Sequence, residues 1–134
     1  MDSKTIHHVC IQTDCYKESL YFYTEVLGFR IIKETANFHG RDYNTWLELN
    51  HFMIELQTPK TQETFEPYSK TTNGIVHLCF RVDDIHKELQ AILDKGYKSF
   101  KTKNNHRLYQ VEDGYLFKVK APEGTEIEFR DSEI

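Results

Sequence analysis

The chain repeats itself. His8-Val9-Cys10-Ile11 resembles His77-Leu78-Cys79-Phe80, an offset of 69 residues, about half of the 134. The likeness continues in order. Asp14 corresponds to Asp83, Leu20 to Leu89, and Leu27-Gly28-Phe29 to Lys95-Gly96-Tyr97 after a one-residue deletion. Each half closes on a similar stretch, Met53-Ile54-Glu55-Leu56 and Glu126-Ile127-Glu128-Phe129. One such pair means little, but all of them in the same order point to a duplicated unit of roughly 65 residues. A chain built this way folds as two like halves, so whatever the first half presents, the second presents again.

Periodicity assigns the elements of the unit. Residues 5–13 alternate and carry β-branched types, which predicts a strand. Asp14 is placed to cap a helix. Tyr16, Leu20, Tyr23 and Leu27 recur at helical spacing and Gly28 ends the run. A strand follows over 29–35, then a hairpin of 43–49 and 52–57 turning at Asn50-His51. The second half repeats the plan. A strand is predicted over 75–82 and a cap at Asp83. A helix is marked by Ile85, Leu89, Ile92 and Leu93 and stopped by Gly96, and strands follow near 97–102, 106–111, 115–120 and 126–130. The Thr-, Pro-, Lys- and Gly-containing stretch 58–74 is the linker. The expected fold class is α+β: one domain spanning 1–134, made of two βαβββ modules over about 5–57 and 75–130.

Residues two apart on a strand share a face. His8, Cys10 and Gln12 therefore lie together, as do His77, Cys79 and Arg81. Glu55 lies with Met53, and Glu128 with Glu126 and Arg130. Each half thus offers one histidine on its first strand and one glutamate on its last, 47 residues apart in the first half and 51 in the second. Two imidazoles and two carboxylates suit a borderline or hard divalent ion: zinc or nickel first, then manganese, cobalt or iron. His7 is expected to point to the opposite face. Cys10 and Cys79 are expected to serve as small wall residues beside the ligands, and Cys15 as a helix-start residue. The aromatic group Tyr16, Tyr21, Phe22 and Tyr23 is expected in the core, and Trp46 and Tyr43 in or under the site.

Composition removes several classes of function. Nine Phe, eight Tyr and one Trp are too many large apolar groups for a disordered chain. No apolar run approaches the length needed to span a membrane as a helix, and the opening residues show no apolar signal core. Seventeen basic and 21 acidic residues give a net charge of −4 with no basic stripe, which disfavours nucleic acid. Three cysteines do not make a disulfide framework. The expectation is a reduced, cytoplasmic protein with a small-molecule substrate.

With these motifs in view, the chain resembles the vicinal oxygen chelate superfamily, the glyoxalase/bleomycin-resistance/extradiol-dioxygenase proteins. The likeness rests on Ile6-His7-His8-Val9 through Ser19, on Phe22-Tyr23 with Val26-Leu27-Gly28-Phe29, on Gly74 to His77 with Val82-Asp83, and on Pro122, Gly124, Ile127 and Glu128. It implies curved sheets around a metal-centred cavity, with metal ligands at His8, Glu55, His77 and Glu128. It also implies a homodimer in which each site draws on one chain or two. The four-ligand set looks most like bacterial glyoxalase I, a detoxifying lyase that isomerises a hemithioacetal through an enediolate. On that likeness Glu128 is the catalytic base and Glu55 its opposed partner. Extradiol dioxygenases, epimerases and drug-binding resistance proteins are the alternatives. The anchors that hold glutathione in glyoxalase I are replaced here by Gln12, Pro59 and Asp113-Gly114, which puts a glutathione adduct in doubt and leaves the lactoylglutathione lyase-like metal chemistry standing. Arg81, Gln12, Cys10, Cys79 and Trp46 are the remaining candidates for substrate contact.

Overall fold

The computed structural model describes residues 3–134. The chain divides into two compact units, one reaching to Glu66 and the other Pro67–Ile134. The division falls inside the predicted linker; the first unit has the order βαβββ, and the second has one strand more.

The first module runs β1 (Val9–Gln12), α1 (Tyr16–Tyr21), a π-helical segment (Phe22–Val26), β2 (Arg30–Phe38), β3 (Arg41–Leu49) and β4 (Phe52–Gln57). Its sheet has the order β1-β4-β3-β2. β1 lies parallel to β4, and the other pairs are antiparallel. Leu47, Ile54 and Leu56 are wholly buried on the inner face, with Phe22 and Tyr23 of the helical segment. β3 and β4 are joined by Asn50 and His51, both at positive φ, the backbone of a two-residue type I′ hairpin.

The helix of this module departs from its expected register. The buried stripe is Ser19, Phe22, Tyr23 and Val26; Tyr21 is exposed. Ser19 enters the core because its hydroxyl bonds Thr13 Oγ1 at 2.7 Å, which satisfies a polar group that burial would otherwise penalise. Asp14 does not cap the helix. Thr13 Oγ1 accepts from the Cys15 N–H at 3.0 Å instead, and Cys15 takes the capping position. Gly28 ends the helical segment at φ +93°, with the Gly28 N–H on Thr24 O and the Phe29 N–H on Tyr23 O.

The second module runs β5 (His77–Arg81), α2 (Ile85–Asp94), β6 (Phe100–Lys101), β7 (Tyr109–Val111), β8 (Gly114–Lys120) and β9 (Glu126–Arg130). The sheet order is β5-β9-β8-β6, with β7 also paired to β8. β6 and β7 lie on successive stretches of one β8 edge. Together they fill the place that β2 alone fills beside β3. The sequence therefore yields one strand more here than in the first module, within the same plan. Asp84, not Asp83, caps α2, accepting from the Lys87 N–H at 3.1 Å. Asp83 turns instead to Arg81, 2.6 Å away. Ile85 and Ile92 are buried on α2 as the periodicity predicts. Below the sheet Phe117 stacks on Phe129 at 4.8 Å, and Phe129 on Phe80 at 5.6 Å.

Candidate metal centre

The repeat delivers the same pair of side chains twice, in the same register. In the first module Cys10 of β1 stands opposite Glu55 of β4. His8 lies two residues upstream, and its Nε2 is 3.5 Å from Glu55 Oε1. In the second, Cys79 of β5 stands opposite Glu128 of β9. His77 is again two residues upstream, with Nε2 3.6 Å from Glu128 Oε1. A parallel strand pair with one register produces both, because the first and last strand of each module are neighbours. Both histidine side chains are one-third exposed, while Glu128 is almost covered.

The donor chemistry fits a divalent ion. Imidazole nitrogen and carboxylate oxygen bind zinc at about 2 Å, and two ligands of one ion then lie about 3 Å from each other. The observed 3.5 and 3.6 Å are close to that separation and too long for a good hydrogen bond. His77 Nδ1 is buried without a hydrogen-bond partner, so Nε2 is the nitrogen turned toward Glu128. Among the described residues, no group of three or more His, Cys, Asp or Glu side chains is gathered closely enough to hold an ion. The structure brings His8 to Glu55 and His77 to Glu128, one His–Glu pair in each module.

The surroundings of the two glutamates differ. Glu55 has Trp46 of β3 as its cross-strand neighbour. The Trp46 ring meets His8 edge-on at 4.8 Å. Glu128 has Lys118 of β8, with Nζ 3.7 Å from Oε1, and Arg130, with Nε 3.0 Å from Oε2. Arg130 and Lys118 are thus the charged neighbours of Glu128, and the strand face that Lys118 shares with Lys120 already marks it as a candidate for an anionic substrate. The signal for Arg130 was present in Glu126, Glu128 and Arg130 sharing one strand face.

The remaining candidates divide. Gln12 is exposed at the end of β1, opposite Gln57. Arg81 is engaged by Asp83 at 2.6 Å and Glu133 at 2.9 Å, so two carboxylates already satisfy it. His7 is not on an opposite face. The chain before Val9 is irregular, strand alternation does not apply there, and His7 Nδ1 lies 2.9 Å from His8 Nδ1.

Cys10 and Cys79 flank the two glutamates as neutral thiols. Burial and then the Glu55 carboxylate push the Cys10 thiol up to about 11. Burial and then a hydrogen bond to Glu128, with Sγ 3.3 Å from Oε2, push Cys79 up to about 12. Both are thereby held as neutral thiols at neutral pH, the weakly nucleophilic form. An unperturbed thiol at 9.0 is about one-tenth thiolate at pH 8; Cys10 should be about 100-fold less ionised. Mass-spectrometric mapping of iodoacetamide labelling should therefore find both cysteines slow at pH 8 in the folded protein and fast after unfolding in urea. Equal rates in the two states would contradict the placement of these thiols.

Comparison with known proteins supplies the family. The profile described as the Glyoxalase/Bleomycin resistance protein/Dioxygenase superfamily matches residues 5–129. The chain belongs to that superfamily. One relative of this superfamily member is a Bacillus subtilis (strain 168) protein provisionally named ring-cleaving dioxygenase MhqE, 38% identical over 78 residues, or 57% of this chain and 24% of that protein. Another is the mitochondrial methylmalonyl-CoA epimerase of Dictyostelium discoideum, 27% identical over 96 residues, 69% of this chain and 58% of that one. The chain thus spans about a quarter of the first relative's length and just over half of the second's. Among solved structures, the glyoxalase family protein from Enterococcus faecalis superposes with a TM-score of 0.78 at 26% identity, covering 98% of this chain and 100% of that chain. Among the described residues, no helix of this superfamily member is long and apolar enough to cross a membrane.

Proposed function

We propose that this superfamily member is a metal-dependent lyase or isomerase of glyoxalase I type. It acts on a small carbonyl or hemithioacetal substrate by enediolate-type proton transfer. The observation that carries the reading is the His–Glu pair made twice in one register, His8 with Glu55 and His77 with Glu128. The reading joins both pairs on one divalent ion, zinc or nickel, in a homodimer. Bound there, the ion supplies Lewis-acid stabilisation of the negative charge that develops on the substrate oxygens.

The chain's own residues handle the proton. Arg130 at 3.0 Å fixes Glu128 through Oε2. The charged neighbours of Oε1, His77 and Lys118, stand at 3.6 and 3.7 Å. Glu128 is the general base that takes the proton from one carbon and returns it to the next, as a positioned carboxylate does. Glu55 is the opposed partner. The neutral thiols of Cys10 and Cys79 wall the carboxylates without competing as nucleophiles. Glutathione is not the expected thiol, because Gln12, Pro59 and Asp113 put no cation where glyoxalase I anchors glutathione carboxylates.

The test is a panel assay of the protein loaded with nickel, cobalt, manganese or zinc, using methylglyoxal with glutathione and with small thiols, both neutral and carboxylate-bearing. Metal-dependent isomerisation of a small-thiol adduct, with glutathione poorer, is the expected result. No turnover on any adduct, together with no bound ion, would remove the reading. The similarity to the B. subtilis protein favours one second reading, ring cleavage of a catechol. Oxygen consumption with catechols on the iron(II) protein would select it.

A further inference from the structure

The polar face of the second module's sheet holds more cation than its carboxylates neutralise. Lys101 of β6 stands directly opposite Lys118 of β8, and like charges in that position destabilise a sheet. Lys118 in turn stands opposite Glu128 of β9. Lys101 Nζ lies 2.6 Å from Oε1 of Glu126, a nearly covered carboxylate. Arg130 and Lys118 share Glu128. Lys70 approaches Lys101 closely enough that hydrogen bonding to that ammonium, and repulsion from it, make Lys70 easier to deprotonate. Lys70, Lys101, Lys118 and Arg130 thus share two carboxylates, in a chain whose net charge is −4. Lys101 and Lys118 keep 25% and 21% of their side-chain surface in solvent, so an incoming group can reach them. In the first module Lys33 stands where Lys101 stands, but Trp46 and Gln57 replace Lys118 and Arg130, so the cations are not gathered there.

We infer that Lys70, Lys101, Lys118 and Arg130 form a subsite for an oxyanion group, carboxylate or phosphate, carried by the substrate. Repelling ammoniums held together on a sheet are stabilised when an anion joins them, and charge-assisted bonds to carboxylate or phosphate are the strong ones. The subsite's place beside the reaction rests on the reading of His77 and Glu128 as metal ligands; its affinity for an anion does not. A divalent ion on Glu128 would take up that carboxylate's charge and leave Lys118 and Arg130 with more of theirs to offer. The substrate then carries two features, a carbonyl or hemithioacetal oxygen and an anionic end that the second module recognises.

Calorimetric titration of the metal-free protein with inorganic phosphate, and separately with acetate, at low ionic strength tests this. Low salt matters because the subsite is partly exposed and screening weakens it. The parent should bind at least one of the two anions. Lys70→Gln and Lys118→Gln should each weaken that binding at least about 5-fold, a modest share of a charge-assisted bond. Lys17→Gln, on the exposed start of α1, should leave it unchanged. Lys70 is exposed, so its replacement does not threaten folding. Absence of binding by the parent, or unchanged affinity in both Lys70→Gln and Lys118→Gln, overturns the inference. Zinc binding by equilibrium dialysis separates the two readings. Anion binding without zinc binding keeps the subsite and removes the metal; zinc binding without anion binding removes only the subsite.

Discussion

Replacing His77 with alanine is expected to lower the affinity for zinc or nickel by at least about 100-fold. Removing a group that only supports a ligand already costs roughly 10- to 100-fold, and His77 is proposed as a ligand itself. Its Nε2 stands 3.6 Å from Glu128 Oε1, so under the proposed four-donor site its loss would remove one donor and leave that carboxylate without its partner. The fold should survive, because the His77 side chain is one-third exposed and its buried Nδ1 has no partner to lose. The expected result is a thermal midpoint near the parent's without metal, and a large loss of metal-induced stabilisation, which scales with the logarithm of ligand concentration over Kd. An equal metal-induced shift in the variant and the parent would remove His77 from the site.

Phe117→Ala is expected to cost about 3–5 kcal/mol. Phe117 is completely buried. It stacks on Phe129 at 4.8 Å and meets Phe100 at 6.1 Å. Phe129 follows Glu128 on β9, and Phe117 precedes Lys118 on β8. The ring therefore supports, from the apolar side, the two strands that carry Glu128 and Lys118 on the polar side. Truncation leaves a cavity that the flanking rings cannot close. With a urea slope of about 1–3 kcal/mol per molar, the midpoint should fall by more than about 1 M at unchanged slope. A fall of only a few tenths of a molar would mean that this stack is not the module's core.

Much of this was legible in the sequence because a repeat constrains twice. His8 with Glu55 and His77 with Glu128 emerge from one argument, and each module's parallel pairing of first and last strand then brings them together. Gly28, Gly96 and Asn50-His51 also stand where the turns require positive φ. The misses have local causes. Caps are decided by hydroxyls and carboxylates competing one residue apart, so Thr13 displaced Asp14 and Asp84 displaced Asp83. The face of His7 was read from a strand that begins only at Val9. Ser19 lies outside the stripe Tyr16, Leu20, Tyr23 and Leu27, and its burial rests on a bond to Thr13 that periodicity does not encode. The pairing of Lys118 with Glu128 depends on the register of β8 against β9, which no pattern within a single strand encodes.

The most direct test of the central claim is metal stoichiometry by elemental analysis of the purified protein after saturation with zinc and removal of excess. The account predicts one ion per chain, lost almost entirely in His8→Ala and again in His77→Ala, because both pairs serve the same ion. Two ions per chain with one lost in each variant, or zinc content unaffected by either substitution, would contradict it.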